Sequence, residues 1–449
     1  MDIRGKKISI TGAVRSGIGA AKLAKKLGAI PFVSDSGSKE KLQKSISIFE
    51  AESIAYEYGV HSEKVFNCDL IITSPGVPTD SPVLVKAREK NITIISEVEF
   101  ASWFCKGGII SITGTNGKTT TTALMNYTLN ECGTKCYAAG NIGEAFSEIV
   151  LDVKENEFVA LETSSFQLDF IDKFKPQFSI ILNITPDHLD RYGNNFDAYI
   201  SSKINIAVNQ DESDFFIYNA DDQYIKPNLK NKKVQKLAFS LKNDVPAGAF
   251  YRDGKMFFSW FGKTEKVCST TDLFIKGEHN IANALAVLSI AKLLNLPNQK
   301  IRNAFSSFKG VEHRLEFVRE LDGVTYINDS KATNVDSVWY ALRSFDKPFF
   351  LILGGKDKGN NYDQIRELVQ KHVKKIYAIG SSAQKVFDYF NSIVQTEKKD
   401  SLEECVVSGR KEAERGTIVI LSPACASFDM FDNYEHRGKI FKEAVNKLV

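Results

Sequence analysis

The sequence predicts an α/β protein of three domains, and three observations predict it. Its 449 residues amount to roughly three ordinary domains. Short apolar runs alternate with segments of helical spacing, the pattern of parallel sheets with helical crossovers. The alternation restarts near residues 107 and 311, which sets domains at 1–106, 107–310 and 311–449. A hydrophobic fraction of 43% lets each domain bury its own core.

Composition narrows the function classes. Lysine and arginine number 58 against 55 acidic residues, too even a balance for a dedicated nucleic-acid binder. No apolar run approaches the ~20 residues of a membrane span. The first strand is too brief for a signal-peptide core. The seven cysteines are scattered, with no Cys-x-x-Cys pair. That usage fits a reducing cytoplasm better than a disulfide framework or a zinc site.

The first domain opens with a strand, Lys7 to Thr11, a turn, Gly12-Ala-Val-Arg-Ser-Gly17, and a helix, Gly19 to Leu27, closed by Gly28. A second strand, Ile30 to Ser34, ends at Asp35. This is close to a Rossmann-like half, with an acid about 20 positions after the glycine turn. Val14 stands where a second glycine would let a pyrophosphate approach, so the pattern does not support a nicotinamide site. A helix–strand unit without a ligand is the alternative. Strand Leu70 to Thr73 ends in Ser74-Pro-Gly-Val-Pro78, which makes Gly76 a candidate backbone donor at the crevice.

The central domain begins with Ile109 to Thr113, a glycine turn, Gly114 to Gly117, and then Lys118 and four threonines. Backbone N–H groups of such a turn face an anion, the lysine adds a charge, and the next hydroxyl suits Mg²⁺. Only two residues separate Gly114 from Gly117, against four in the standard P-loop. Strand Phe158 to Leu161 delivers Glu162, placed as a Mg²⁺ ligand or as a helix cap. Strand Phe178 to Asn183 leads to His188, flanked by Asp187 and Asp190, where a metal or phosphate role and a structural one are equally open.

A helix is expected over Asn195 to Val208. Lys203 falls inside its apolar stripe, where it either snorkels, the better local bet, or has a depressed pKa and a chemical role. Residues 215–276 give short strands and loops that cannot be assigned well. An apolar helix follows from Ile281 to Leu294, with Asn280 placed to cap it and Asn283 on its first turn.

The third domain is again Rossmann-like. Strands Val324 to Ile327, Phe349 to Leu353, Lys375 to Ile379 and Thr417 to Leu421 all end in polar or glycine turns. Lys331, Lys358 and the turn 422–429 could converge there on an anionic substrate. Cys425 has no local histidine to activate it and reads as packing.

Several blocks together carry a resemblance: Thr113-Gly-Thr-Asn-Gly-Lys-Thr-Thr120, Glu162-Thr-Ser-Ser-Phe-Gln-Leu168, Thr185-Pro-Asp-His-Leu-Asp-Arg191, His279-Asn-Ile-Ala-Asn283, His313-Arg314, Asn328-Asp-Ser-Lys-Ala-Thr-Asn334 and Ser422-Pro-Ala-Cys-Ala-Ser427. The chain resembles the Mur ligase family over essentially its whole length, and the short P-loop spacing is that family's own pattern. The second, sixth and seventh blocks are most similar to the branch that adds D-glutamate.

The resemblance implies an ATP-dependent amide ligase of peptidoglycan precursor synthesis, working through an acyl phosphate. Its small-molecule substrates would be ATP, UDP-N-acetylmuramoyl-L-alanine and D-glutamate, with Mg²⁺ at two sites. It implies a central P-loop ATPase-type domain between two Rossmann-like ones, and a monomer is expected. Gly114, Thr115, Asn116, Gly117, Lys118, Thr119, Thr120, Asn283, Arg314 and Asp329 would bind ATP. Thr119 and Glu162 would hold one Mg²⁺, His188 and a carbamylated Lys203 the other; Lys118, Glu162, His188 and Lys203 would carry the catalysis. Ser16, Asp35, Ser36, Gly76 and Asn141 would hold the UDP-linked substrate. Lys331, Thr333, Lys358, Ser427, Phe428 and Tyr434 would frame D-glutamate. The alternatives are a sibling ligase with another amino acid and a non-ligase P-loop protein.

Overall fold

Isoleucine and valine runs make the central strands, which are covered on both faces. In Lys7-Ile-Ser-Ile-Thr11 every residue after the first is buried, as in a parallel strand with helices on either side. The computed structural model describes residues 2–141, 144–229, 233–345, 347–357 and 359–449. Three sheets organise them.

The first sheet has strands β1 (Lys7–Thr11), β2 (Ile30–Asp35), β3 (Ala55–Tyr58), β4 (Leu70–Thr73) and β5 (Ile94–Ser96). Its order is β3-β2-β1-β4-β5 and every pairing is parallel. The order reverses beside β1, so the turns after β1 and β4 flank a crevice.

The second sheet has nine strands. They are β6 (Gly108–Thr113), β7 (Cys136–Gly140), β8 (Phe158–Glu162), β9 (Phe178–Ile181), β10 (Phe215–Asn219), β11 (Gln235–Ser240), β12 (Gly248–Arg252), β13 (Lys255–Trp260) and β14 (Lys263–Ser269). The order is β14-β13-β12-β11-β10-β9-β6-β8-β7, and only the β12–β13–β14 meander is antiparallel. Residues 215–276, unassigned from sequence, thus extend one edge of this sheet.

The third sheet has β15 (Glu316–Leu321), β16 (Val324–Asn328), β17 (Phe349–Gly354), β18 (Val373–Ile379), β19 (Gln395–Lys398) and β20 (Ile418–Leu421). It runs β15-β16-β20-β17-β18-β19, with β15 antiparallel. Alternation along its strands fills two cores: Ile327, Leu351 and Ile420 face one, Tyr326, Ile352 and Val419 the other.

The chain divides into two compact units. One runs up to Leu273 and resumes over Ile281–Phe308; the other is Phe274–Asn280 with Lys309–Val449. The first two sheets lie in the first unit, the third in the second. Within the first unit, two buried glutamates of the helix Glu97–Ser102 join the sheets. The Glu99 carboxylate accepts the backbone N–H groups of Asp172 (2.9 Å), Lys173 (3.0 Å) and Phe174 (2.7 Å). Glu97 accepts from the Ser147 amide at 2.6 Å, and burial pushes its pKa up to about 7.

Three helix expectations need correction. The helix predicted over Gly19 to Leu27 starts four residues earlier and spans Arg15–Lys26, so Ser16 and Gly17 of the predicted turn lie in its first turn. The helix predicted to open after Asn280 starts earlier and spans Glu278–Leu293, so Asn280 sits in its first turn; its amide donates to the Lys276 carbonyl instead of capping. The helix predicted over 195–208 is α-helical only over Phe196–Ile204, capped by the Asn195 side chain on the Ala198 amide, and tightens to a 3₁₀ turn over Asn205–Ala207. Among the described residues, no helix is long and apolar enough to cross a membrane.

Candidate active site

Strand β6 delivers the glycine turn to the middle of its sheet, between β8 and β9. Gly114 has φ 149° and Gly117 φ 85°, both in the region that favours glycine. A Cβ on Gly117 would come within 2.6 Å of the Asn283 Oδ1, so Asn283 packs directly on the turn. The helix Lys118–Glu131 starts at once, which aims its first amides at whatever occupies the turn. Thr115, Asn116, Thr119 and Thr120 are all buried. The Asn116 amide donates to Asn183 Oδ1 (2.8 Å), whose Nδ2 returns a bond to the Asn116 carbonyl (3.0 Å).

Two lysines converge on the carbonyls of this turn. Lys118 Nζ donates to Gly114 O and Thr115 O, both at 2.8 Å. Lys203 Nζ donates to the same Gly114 oxygen at 2.9 Å and lies 4.6 Å over the Tyr199 ring. Lys203 is only 2% exposed, so it does not snorkel. Burial first, then the Lys118 charge, lowers its pKa well below that of an ordinary lysine. The amine is therefore held in a setting that favours its neutral form.

Glu162 ends β8 beside the turn and is 2% exposed. One carboxylate oxygen accepts from Asn141 Nδ2 at 3.3 Å; the other is buried with no hydrogen-bond partner among the described residues. A buried carboxylate oxygen left in that state suits a divalent cation. His188 follows β9 in a left-handed conformation, φ 52°, and is about half exposed. Its ring meets Phe166 edge-on at 5.4 Å.

A cleft of about 880 Å³ opens at the C-terminal ends of the first sheet's strands. Ser16, Asp35, Ser36, Gly76 and Asn141 all line it, together with Arg15, His61 and Lys86. The Asp35 carboxylate accepts the amides of Ala13 and Gly37, each at 2.7 Å, and so fixes the first turn. Val14 needs no glycine conformation: it is extended, φ −99°, and its exposed side chain belongs to the cleft lining.

In the second unit, Arg314, Asp329 and His279 form one electrostatic cluster. Burial raises the Asp329 pKa to about 6 against the pull of Arg314. Burial and Arg314 lower that of His279 to about 3. Lys331 lies 5.4 Å over the Tyr434 ring. Thr333 closes the same turn, its amide on the Lys331 carbonyl. Ser427 is buried and Phe428 is 67% exposed in the turn after β20. Cys425 is buried, accepts from Asn360 Nδ2 at 3.2 Å, and has a pKa raised by burial, which is packing chemistry. Lys358 lies outside the described residues.

Sequence reasoning missed Arg191 and Arg437. Arg437 is buried and donates to Cys425 O (3.1 Å) and Ser330 O (2.7 Å), tying the turns that carry Ser427 and Lys331. Arg191 Nη2 donates to the carbonyls of Pro75 (3.3 Å) and Val77 (3.2 Å) beside Gly76. Both bond backbone oxygens, a partnership that leaves no pattern in sequence.

Comparison with known proteins agrees with this architecture. The Mur ligase middle domain matches residues 112–291, the Mur ligase glutamate ligase domain residues 313–425, and the MurD N-terminal domain residues 20–83. The UDP-N-acetylmuramoylalanine–D-glutamate ligase of Christiangramia forsetii is 46% identical, over 99% of this chain and 100% of that one. That of Chloroherpeton thalassium is 42% identical, over 100% and 99%. Among solved structures, the UDP-N-acetylmuramate–alanine ligase MurC from Thermotoga maritima shares the fold with a TM-score of 0.63 at 19% identity, over 98% of this chain and 99% of that one. The MurF ligase from Thermotoga maritima in complex with ADP has a TM-score of 0.58 at 15% identity, over 93% and 95%. On these full-length identities, the chain belongs to the Mur ligase family.

Proposed function

We propose that this chain joins D-glutamate to the alanyl carboxylate of UDP-N-acetylmuramoyl-L-alanine, driven by ATP, in peptidoglycan precursor synthesis. Relatives 39–46% identical over whole chains bear the name of that ligase. The single structural observation that carries the reading is Asn141, which lines the nucleotide-sized cleft and donates to Glu162 beside the glycine turn. One side chain thus touches both the cleft and the carboxylate beside the phosphate loop.

In this reading the cleft binds the UDP moiety through Ser16, Asp35, Ser36 and Gly76, and directs the alanyl carboxylate past Asn141. That carboxylate attacks the γ-phosphorus, ADP leaves, and an acyl phosphate forms. The amine of D-glutamate then attacks the acyl carbon. Phosphate leaves, the amine loses a proton, and the amide remains. Phosphoryl transfer asks the protein for positioning and charge neutralisation. Lys118 is already at the turn and exchanges the Gly114 and Thr115 carbonyls for the β- and γ-phosphates. The turn, Thr119, Thr120, Asn283, Arg314 and Asp329 orient the nucleotide. Lys331, Thr333, Lys358, Ser427, Phe428 and Tyr434 receive D-glutamate, the lysines pairing with its carboxylates.

Thr119 with Glu162, and His188 with Lys203, would hold two Mg²⁺ ions. The buried, unpartnered oxygen of Glu162 fits such an ion. When bound there, Mg²⁺ would supply screening of the repulsion between carboxylate and ATP. A neutral Lys203 amine is competent to add CO₂ and release a proton, and the resulting carbamate would supply the oxygen ligand that an amine cannot. The reading also carries domain boundaries at 106/107 and 310/311, a monomer, and a cytoplasmic location; the seven free cysteines support the last.

Phosphate release measured with ATP, Mg²⁺, UDP-N-acetylmuramoyl-L-alanine and a panel of amino acids tests it. D-glutamate alone should stimulate release. Equal rates with and without D-glutamate would overturn the assignment, and stimulation by another amino acid would transfer it to a sibling ligase.

A further inference from the structure

We infer that Arg191 is a positioning residue that orients the Gly76 amide toward the diphosphate of the bound nucleotide and ties that loop to the turn bearing His188. This rests on the reading of the cleft as the UDP site.

Arg191 Nη2 donates to the Pro75 carbonyl at 3.3 Å and to the Val77 carbonyl at 3.2 Å. Among the described residues there is no cis peptide bond, so in the Pro75–Gly76 unit the C=O and N–H point in opposite directions. With the carbonyl held toward Arg191, the Gly76 N–H faces the other way. Gly76 lines the cleft and Arg191 does not. Among the described residues the Gly76 N–H has no hydrogen-bond partner. Among the described residues, the backbone bond that spans Gly76 is the Val77 amide on Ser74 O at 3.0 Å, which does not itself hold the Pro75–Gly76 plane; Arg191 does. A cation on the carbonyl also polarises the peptide, making its N–H a better donor to an anion.

The face of the same guanidinium is also held. It lies 4.2 Å over the Phe166 ring. The same ring meets His188 edge-on at 5.4 Å and stacks on Tyr192 at 6.0 Å. His188, Arg191 and Tyr192 belong to one short 3₁₀ turn and its cap. The turn that presents His188 is thereby seated on Phe166, four residues after Glu162 at the end of its strand. Arg15 and Lys86, which also line the cleft, supply charge for a diphosphate but no such link.

Equilibrium binding separates this role from a general structural one. The wild type, Arg191→Ala, Arg191→Lys and Phe166→Leu are titrated with UDP by calorimetry and with uridine by ligand-observed NMR. Affinity for ADP and the thermal midpoint report that each variant folds. Arg191→Ala should weaken UDP by about tenfold, the value of one charge-assisted contact, and leave uridine and ADP unchanged. Arg191→Lys should recover part of the loss, since an ammonium still reaches the carbonyls. Phe166→Leu should show a smaller loss with the same preference for the diphosphate. UDP affinity within twofold of wild type in all three variants overturns the inference while leaving the cleft as the UDP site. Equal weakening of UDP and uridine overturns it too, because a general distortion would do that. Failure of the wild type to bind UDP would bring down the cleft reading and the inference together. Should Arg191→Ala not fold, the other two variants decide.

Discussion

Two glycine turns in the first unit share a grammar and differ in execution. Both follow a central parallel strand and open a helix without a side-chain cap. At Gly12–Ser16 a carboxylate grips the turn by one amide: Asp35 takes Ala13, while its other oxygen takes Gly37 of the turn after β2. At Gly114–Lys118 two lysines grip the turn by its carbonyls. An acid on that amide uses up a donor that an anion would want, so the first cleft must find others elsewhere, at Gly76 and the basic side chains around it. Cations on the carbonyls add positive charge beside the second turn, whose Thr115 and Asn116 amides are themselves taken by Asn183. Fold grammar alone does not say which kind of turn a sequence builds; the partner from another strand or helix decides.

The largest effect should come from removing a cation from the second turn. Lys118→Ala should lower kcat on the order of a thousandfold, since it withdraws the charge that meets the transferring phosphoryl group. Its thermal midpoint should stay near that of the wild type, because Lys203 still holds the Gly114 carbonyl. A loss below tenfold in single-turnover phosphate transfer would contradict the role given to Lys118.

Lys203 comes next. Lys203→Ala should cost on the order of a hundredfold in kcat, the scale of losing a group that holds a metal. A short-chain carboxylate in the buffer should restore part of it. The sign of the pKa shift adds a condition: a depressed pKa keeps the amine neutral at lower pH than an ordinary lysine, so stripping CO₂ from the buffer should slow the wild type even near pH 7. Insensitivity to CO₂ together with no carboxylate rescue would leave Lys203 as a plain hydrogen-bond donor to Gly114.

On the first turn the expected effect is smaller and falls on binding. Asp35→Ala frees the Ala13 and Gly37 amides and loosens the cleft wall. KM for the UDP-linked substrate should rise about tenfold with kcat changed by less than about threefold. An equal fall in kcat would mean that Asp35 acts on the reacting end of the substrate, and the contrast between the two turns would dissolve.

Much of this was legible in sequence, and the illegible part has a physical pattern. Strands β1, β4 and β6 were readable to within a residue because a parallel strand buried on both faces is a continuous apolar run. The edge meander was not: in Lys263–Ser269 the first four residues are exposed and charged or polar, so no apolar period marks the strand. Helical spacing put Lys203 in the right stripe but favoured snorkelling, because the oxygen that receives it belongs to Gly114, 89 residues earlier in the chain. Glu162 announced itself by ending a strand after a P-loop. Arg191 did not, since its partners are carbonyl oxygens, which every residue has. Asn280 was misread because a good capping residue two positions inside a helix looks the same, in sequence, as one at its start.

The smallest prediction bears on why the two helices lack side-chain caps. Val14 is the N-cap of Arg15–Lys26, with φ −99° and ψ −161°, and 64% of it is exposed. An extended N-cap is the conformation from which a serine hydroxyl reaches the N2 or N3 amide. Val14→Ser should therefore stabilise the protein by about 1 kcal/mol in chemical denaturation, with UDP affinity within about twofold. The same serine at Gly117 meets the opposite conditions. There φ is 85°, and a Cβ would sit 2.6 Å from Asn283 Oδ1. Gly117→Ser should destabilise by roughly 1–3 kcal/mol and weaken ATP as well, because Asn283 must move to admit it. The first turn is uncapped for want of a suitable residue, the second because its geometry admits none. Equal stability of Val14→Ser and wild type would remove that distinction.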